Sequence, residues 1–297
     1  YWKTKVALYF FFEGAGAGCY FVAILAHLLK GPLSLFAKSG LIAGVMLVIL
    51  GAIFLWLDLG KKGRFYWSAK NPKTSWIARG VILVSLFLLL GITYIANSIW
   101  PLTWLNGAYI LRAVWGGITA LLALAISIYP SMLLKSCKPF KLWDSSIIVV
   151  LFVMLSLLTG VAILLLVPFT TGFKLGITTE ILSSLRFGLA VCNGLLLAEI
   201  ITLGVYLFSL YETGSSEKAS ILRLIQGDLR PYFALMIVMG WILPLILIPA
   251  GLFTNSTGMI TAVSLISAIF LIVGALIARY VLLTAATREP PLLPGLM

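Results

Sequence analysis

Apolar residues in this chain neither alternate with polar ones nor recur at amphipathic spacing; they run almost unbroken for about 20 residues or more at a time, long enough to cross a hydrocarbon core of roughly 30 Å. Eight such stretches are predicted: Val6 to Leu29, Ser39 to Leu57, Ile77 to Ile99, Leu105 to Leu134, Ser145 to Phe169, Ile181 to Leu210, Tyr232 to Phe253 and Met259 to Leu283. None shows a period of two. A bilayer admits only helices or closed barrels, so the expected fold is all-α and integral to the membrane, with eight transmembrane helices. Division into two four-helix bundles is expected, 1–135 and 136–297, the first carrying the polar segment 58–80.

Composition agrees with that class. Of 297 residues, 62% are hydrophobic and only 10% charged, which no water-soluble fold of this length sustains. The first span is too long, and too closely followed by others, for a cleaved signal peptide, so it is expected to stay in the mature protein. The chain opens on Tyr1, not on an initiator Met, and a few residues are expected before it.

The basic residues are uneven. With eight spans, the N-terminus, the second, fourth and sixth loops and the C-terminus share one side, and that side holds most of the Lys and Arg, including Lys61, Lys62, Arg64, Arg79, Lys138 and Arg223. By the positive-inside rule this face is cytoplasmic, in the inner membrane of a multi-pass protein. Most of these charges read as topology signals and contacts with lipid headgroups, and nothing in them points to nucleic acid.

Charges inside the spans cost more and are candidate functional residues. Glu13, Asp58, Arg79, Tyr129 and Arg279 sort to the basic face and are expected at one depth, where a carboxylate, an arginine and a phenol could form a pocket under the second loop. Simple pairing, Asp58 with Arg79 and Glu13 with Arg279, is the competing reading. On the first helix Glu13, Tyr20 and His27 recur every seven residues on one stripe, a candidate proton path together with Glu199 of the sixth span. Glu199 has no evident partner. The run Gly14-Ala-Gly-Ala-Gly18 predicts close helix packing and leaves room beside Glu13 for a flat ring. Pro244 and Pro249 should bend the seventh helix, and 212–230 reads as a solvated loop with a short amphipathic turn.

Some chemistries are excluded. One histidine cannot ligate a bis-His haem, and Cys19, Cys137 and Cys192 stand too far apart to hold an iron–sulfur cluster, so no metal site is expected. No phosphate-binding, zinc-protease or nucleophile-elbow motif is present.

The turn Asp58-Leu-Gly-Lys61, the pair Asn71-Pro72 followed by Ser75-Trp76 and Arg79-Gly80, Tyr129 ahead of Leu133-Leu134, and the closing Arg279-Tyr280-Val281 together resemble the NrfD/PsrC family. These are eight-helix membrane subunits of polysulfide-reductase-like respiratory complexes. Lys62 departs from the proline that the family often has there. The resemblance implies a haem-free quinone-binding subunit, arranged as two four-helix bundles, that exchanges electrons with a ferredoxin-like iron–sulfur subunit and, through it, with a further catalytic redox subunit. The cofactor is menaquinone or ubiquinone, with no haem or cluster in this chain. By matching motif Asp58 and Tyr129 become the catalytic pair lining the quinone headgroup, with Arg79 nearby; Glu13 and Tyr20 complete the candidate quinone-binding set, and Lys61, Lys62, Arg64 and Trp76 the partner-docking set. The family places the docking face in the periplasm, opposite to the side that charge counting indicates. Two alternatives remain: a proton- or ion-coupled transporter, against which the gathering of polar residues at one face counts, and a passive anchor without quinone chemistry.

Overall fold

A computed structural model of the chain describes residues 4–58, 72–73, 75–99, 102, 107–171, 178–213 and 215–287. Lys61, Lys62 and Arg64 lie outside the described residues. Eight helical spans are long and apolar enough to cross a membrane, and no strand occurs among the described residues. The protein is an all-α, multi-pass membrane protein. The helices are α1 (Thr4–Leu29), α2 (Ser34–Asp58), α3 (Trp76–Ser98), α4 (Tyr109–Lys135), α5 (Ile147–Thr171), α6 (Thr179–Thr213), α7 (Ser215–Ile225), α8 (Arg230–Met236), α9 (Leu243–Phe253) and α10 (Thr257–Thr284). The short α7 lies outside the spans, and α8 and α9 are two parts of the seventh.

The hairpin between α1 and α2 is shorter than the sequence suggested. Lys30 adopts φ 52°, a left-handed residue closing α1, and Gly31-Pro32 follow. Ser34 N–H then donates to Gly31 O, so α2 begins five residues before the expected Ser39.

Glycine decides how α1 is held. A methyl group on Gly18 would overlap the carbonyl of Ser156 on α5, and one on Gly160 of α5 would overlap the backbone at Gly18. On the other flank, Gly16 faces Gly44 of α2, where an added Cβ would meet Gly44 O at 2.7 Å. The run of small residues therefore lets α2 and α5 approach α1 at backbone contact, and Arg279 and Ser156 come up against Gly14. α1 also packs against α4 and α10, so it touches both halves of the chain.

In the seventh span the bend takes the form of a π segment, Ile237–Ile242, in which Leu243 N–H bonds to Val238 O five residues back. Pro244 follows at once. It has no N–H for the carbonyl four residues before it, and the wider turn is how the chain accommodates that loss.

The segment 212–230 is more ordered than expected. α6 continues to Thr213, and α7 buries Ile221 and Leu224 while Leu222 and Ile225 stay exposed. Arg223 grips Asp228 with two bonds of 2.7 Å and reaches Thr284 O, at the end of α10, at 3.0 Å. The connector after α4 is fastened too, with Trp143 Nε1 donating to Leu282 O at 3.0 Å and the Tyr206 hydroxyl to Leu142 O.

Gly18→Ala should lower the melting temperature in detergent by several degrees, since overpacking costs about 1–3 kcal/mol. Gly194→Ala, where a methyl meets nothing within 4 Å, should leave it unchanged or slightly raised. The Arg223 guanidinium holds the Asp228 carboxyl below the ordinary carboxylate range. A carboxyl lowered on folding contributes stability above its unfolded value and loses it as pH falls through the folded one. The protection of α7 amides, taken as the exchange rate relative to that of the unfolded chain at the same pH, should therefore be constant near neutrality and fall only in acid below about pH 4, modestly because the pair is exposed.

Candidate functional site

At the N-terminal end of α1, helix geometry tilts side chains toward the helix start, so the Glu13 carboxyl reaches up toward Tyr9, one turn earlier on the same face. From α4 the Tyr129 ring joins them, and the three groups lie within electrostatic reach of one another. Pro130 follows Tyr129 inside α4 and interrupts the hydrogen-bond ladder there. All three residues are buried. The Tyr9 hydroxyl approaches both Glu13 and Tyr129, but neither it nor either Glu13 oxygen reaches full hydrogen-bond geometry among the described residues. Buried polar atoms in folded proteins are nearly always satisfied, so open hydrogen-bonding capacity converging on one point suits a polar guest.

Glycines shape the walls. A methyl on Gly80 of α3 would overlap the Tyr129 ring, and one on Gly51 of α2 would come 2.9 Å from Glu13 N. Phe12 and Phe54 stack beside this contact with centroids 5.4 Å apart and planes 1° from parallel.

The expected single depth is not observed. Asp58 lies seven residues beyond Gly51 on α2, about 10 Å closer to the basic face than Glu13, and is exposed. It stands at the rim. Arg79 is exposed as well and is used by its own loop: Nε donates to Pro72 O at 2.8 Å, Nη2 to Lys73 O at 2.9 Å, and the guanidinium lies 4.5 Å from the Trp76 ring centre. The start of α3 is thus fixed by Arg79, while its neighbour Gly80 meets Tyr129.

Arg279 departs most from expectation. Its side chain points toward the start of α10, so Nη1 bonds to Ala275 O at 3.4 Å and Nη2 to Ser156 Oγ at 3.2 Å, about one turn deeper than its Cα. The expected pairing with Glu13 does not form. The guanidinium packs against Gly14, and the carboxyl coupled to it electrostatically is Glu199 of α6. Glu199 also has a partner that the sequence did not suggest, Trp241 of the π segment, whose Nε1 lies 3.4 Å from Oε1.

The stripe on α1 continues inward. Tyr20 is buried edge-on against Phe87 at 4.9 Å, and His27 stands edge-on to Tyr94 at 6.4 Å with Arg112 and Lys38 nearby. The Tyr20 and Tyr94 hydroxyls approach Thr119 and Ser98 without full hydrogen-bond geometry, and His27 Nε2 makes no hydrogen bond among the described residues. Seven residues of helix separate Glu13 from Tyr20 by about 10 Å, beyond hydrogen-bond reach. A separate groove of about 320 Å³ runs between α1, α8 and α10, lined by Thr4, Ala7, Leu8, Tyr232, Leu276, Ile277 and Tyr280, away from Glu13 and Tyr129.

Sequence reading missed Tyr9, Ser156 and Trp241. Tyr9 carried a signal, its four-residue spacing from Glu13 on a helix; the other two are brought in only by tertiary packing.

The donor set fits a quinone headgroup, a flat ring with oxygen at opposite ends: phenols donate to such oxygens, and a carboxyl takes up or gives a proton beside them. A family model described as polysulphide reductase, NrfD, matches residues 1–289, nearly the entire chain. That family comprises membrane subunits of redox complexes, associated with quinone and partnered by iron–sulfur and catalytic subunits. No curated protein matches the chain.

Gly80→Ala should destabilise the protein by several degrees in a thermal-shift assay by displacing the Tyr129 ring. Adding Tyr129→Leu should recover much of that loss and Tyr129→Phe should not, because the overlap is with the ring.

Proposed function

Because the chain belongs to the polysulphide reductase NrfD family, we propose that it is the haem-free, quinone-binding membrane subunit of a respiratory redox complex in the cytoplasmic membrane. The observation that carries this reading is the convergence of Tyr9, Glu13 and Tyr129, with buried oxygen atoms open to a guest, beneath the start of α3. A quinone, either menaquinone or ubiquinone, supplies two-electron, two-proton chemistry when bound. The residues supply position and protonation. The Tyr129 and Tyr9 hydroxyls orient the headgroup by donating hydrogen bonds. Glu13 holds or releases a proton at its carboxyl, shielded from solvent by Gly51 and the stacked Phe12 and Phe54. Asp58, exposed at the rim, exchanges that proton with water.

Electrons pass to or from a ferredoxin-like iron–sulfur subunit, itself joined to a catalytic subunit, seated over the basic face. Trp76, clamped under Arg79, and the cations Lys61, Lys62 and Arg64 form the docking platform. Such cations suit an acidic partner, since complementary charge steers association.

Asp58→Asn tests the catalytic part. Quinol oxidation by the assembled complex should fall on the order of a hundredfold, the usual weight of one general acid–base group, with the subunits still co-purifying. Unchanged turnover would sink the quinone reading and favour a passive anchor. Tyr129→Phe should raise KM more than it lowers kcat, because it removes one positioning hydrogen bond.

A further inference from the structure

Two carboxyls and one guanidinium are buried within the spans among the described residues: Glu13, Glu199 and Arg279. The cluster above uses only Glu13. Glu199 of α6 and Arg279 of α10 lie within electrostatic reach of each other without a direct ion pair, and a crevice adjoins Glu199. A narrow crevice extends from Glu199 along Leu203 and Leu207 of α6 to Leu224 of α7, with Leu151 and Leu155 of α5, Phe233 and Met236 of α8 and Val281 of α10 on its sides. From Glu199 to Leu207 is eight residues of helix, about 12 Å toward the basic face. Its free volume is about 10 Å³, the space one water molecule occupies.

We propose that Glu199 is a proton-exchanging carboxyl beside a crevice that admits a single water, at a site separate from the Glu13–Tyr129 cluster. It extends the proton side of the proposed function into the second half of the chain, but does not depend on quinone binding at the first site. Three observations carry it. Glu199 Oε2 is buried and makes no hydrogen bond among the described residues, and Oε1 has only the long bond from Trp241. The crevice opens on that carboxyl. Trp241 belongs to a π segment, a helix distortion found often at functional sites.

The charge arithmetic explains why this carboxyl exchanges. Arg279 of α10 is the charged group facing Glu199; the crevice residues of α5, α7 and α8 are apolar, and Ser156 of α5 is neutral. Ionised Glu199 makes the site electrically neutral with Arg279. On uptake, a proton arriving through water adds to a carboxylate oxygen, giving the carboxylic acid and leaving Arg279 as the site's single charge; release reverses the step, and no electrons move. Both states are of low charge, which a buried site requires.

Dicyclohexylcarbodiimide tests this directly, being an apolar reagent that reacts with protonated carboxyls: the acid O–H adds across a C=N bond, its proton goes to nitrogen, and the adduct rearranges to a stable acylurea. The full complex in native membranes is treated and its peptides are read by mass spectrometry. Label is expected on Glu199, absent in Glu199→Gln, and declining several-fold as pH rises and the acid form is lost. Leu203→Trp, which fills the crevice, should cut labelling several-fold, while Ile201→Trp on the exposed side of α6 should not. Absence of label on Glu199, or labelling indifferent to pH, overturns the proposal in the wild type alone, so a misfolded variant cannot shelter it. Labelling uses no quinone: lost quinol oxidation in Asp58→Asn without Glu199 labelling refutes this site alone, and the converse refutes only the quinone pocket.

Discussion

Close backbone contact between α1 and its two flanking helices is the constraint on which the other features depend. Lipid tails are as apolar as leucine, so helices in a membrane gain little by hiding apolar surface and associate through tight packing. Gly16 against Gly44 and Gly18 against Gly160 supply it. With α1 clamped at these two levels, Glu13 is carried past Gly51, and Gly14 is brought opposite the guanidinium of Arg279. Both polar sites are consequences of that clamp. A helix with larger side chains at these positions would stand further off, and Glu13 would not be closed from lipid.

The eight spans were legible because a hydrophobic run of bilayer length is a one-dimensional property. Glu13 and Tyr129 were legible too, as polar groups on spans that share an end. What failed was the assumption that Cα depth gives side-chain depth. Helical side chains lean toward the helix start, so Glu13 on α1 leans outward to the basic face, whereas Arg279, on a helix ending at that face, leans inward. Two residues sorted to one level in sequence thus diverge, and Arg279 meets Ser156 and Glu199 instead of Glu13. Trp241 as the partner of Glu199 could not be read at all, because it depends on a change of helical register in another span.

The basic face is also where the chain is fastened to itself. Trp143 and Tyr206 tie the connector after α4 to α10 and α6, and Arg223 ties α7 to the end of α10. These bonds join elements far apart in sequence, so the two halves present that face as one surface. Arg79 does the same locally by holding the backbone of Pro72 and Lys73. On the proposed reading such rigidity matters, because a face that passes electrons to another protein must keep its distance to the acceptor.

The π segment of the seventh span gives that helix a phase as well as a bend. One residue more per turn than an α-helix needs, inserted between α8 and α9, rotates everything beyond it by about 100° relative to a continuous helix. The two parts of the span thus present different faces to α10, with Gly240 meeting Gly274 at the crossover. Loss of a single residue there would not simply shorten the span. It would turn one half of it against the other, in the way that removing one tooth from a gear misaligns every tooth after it.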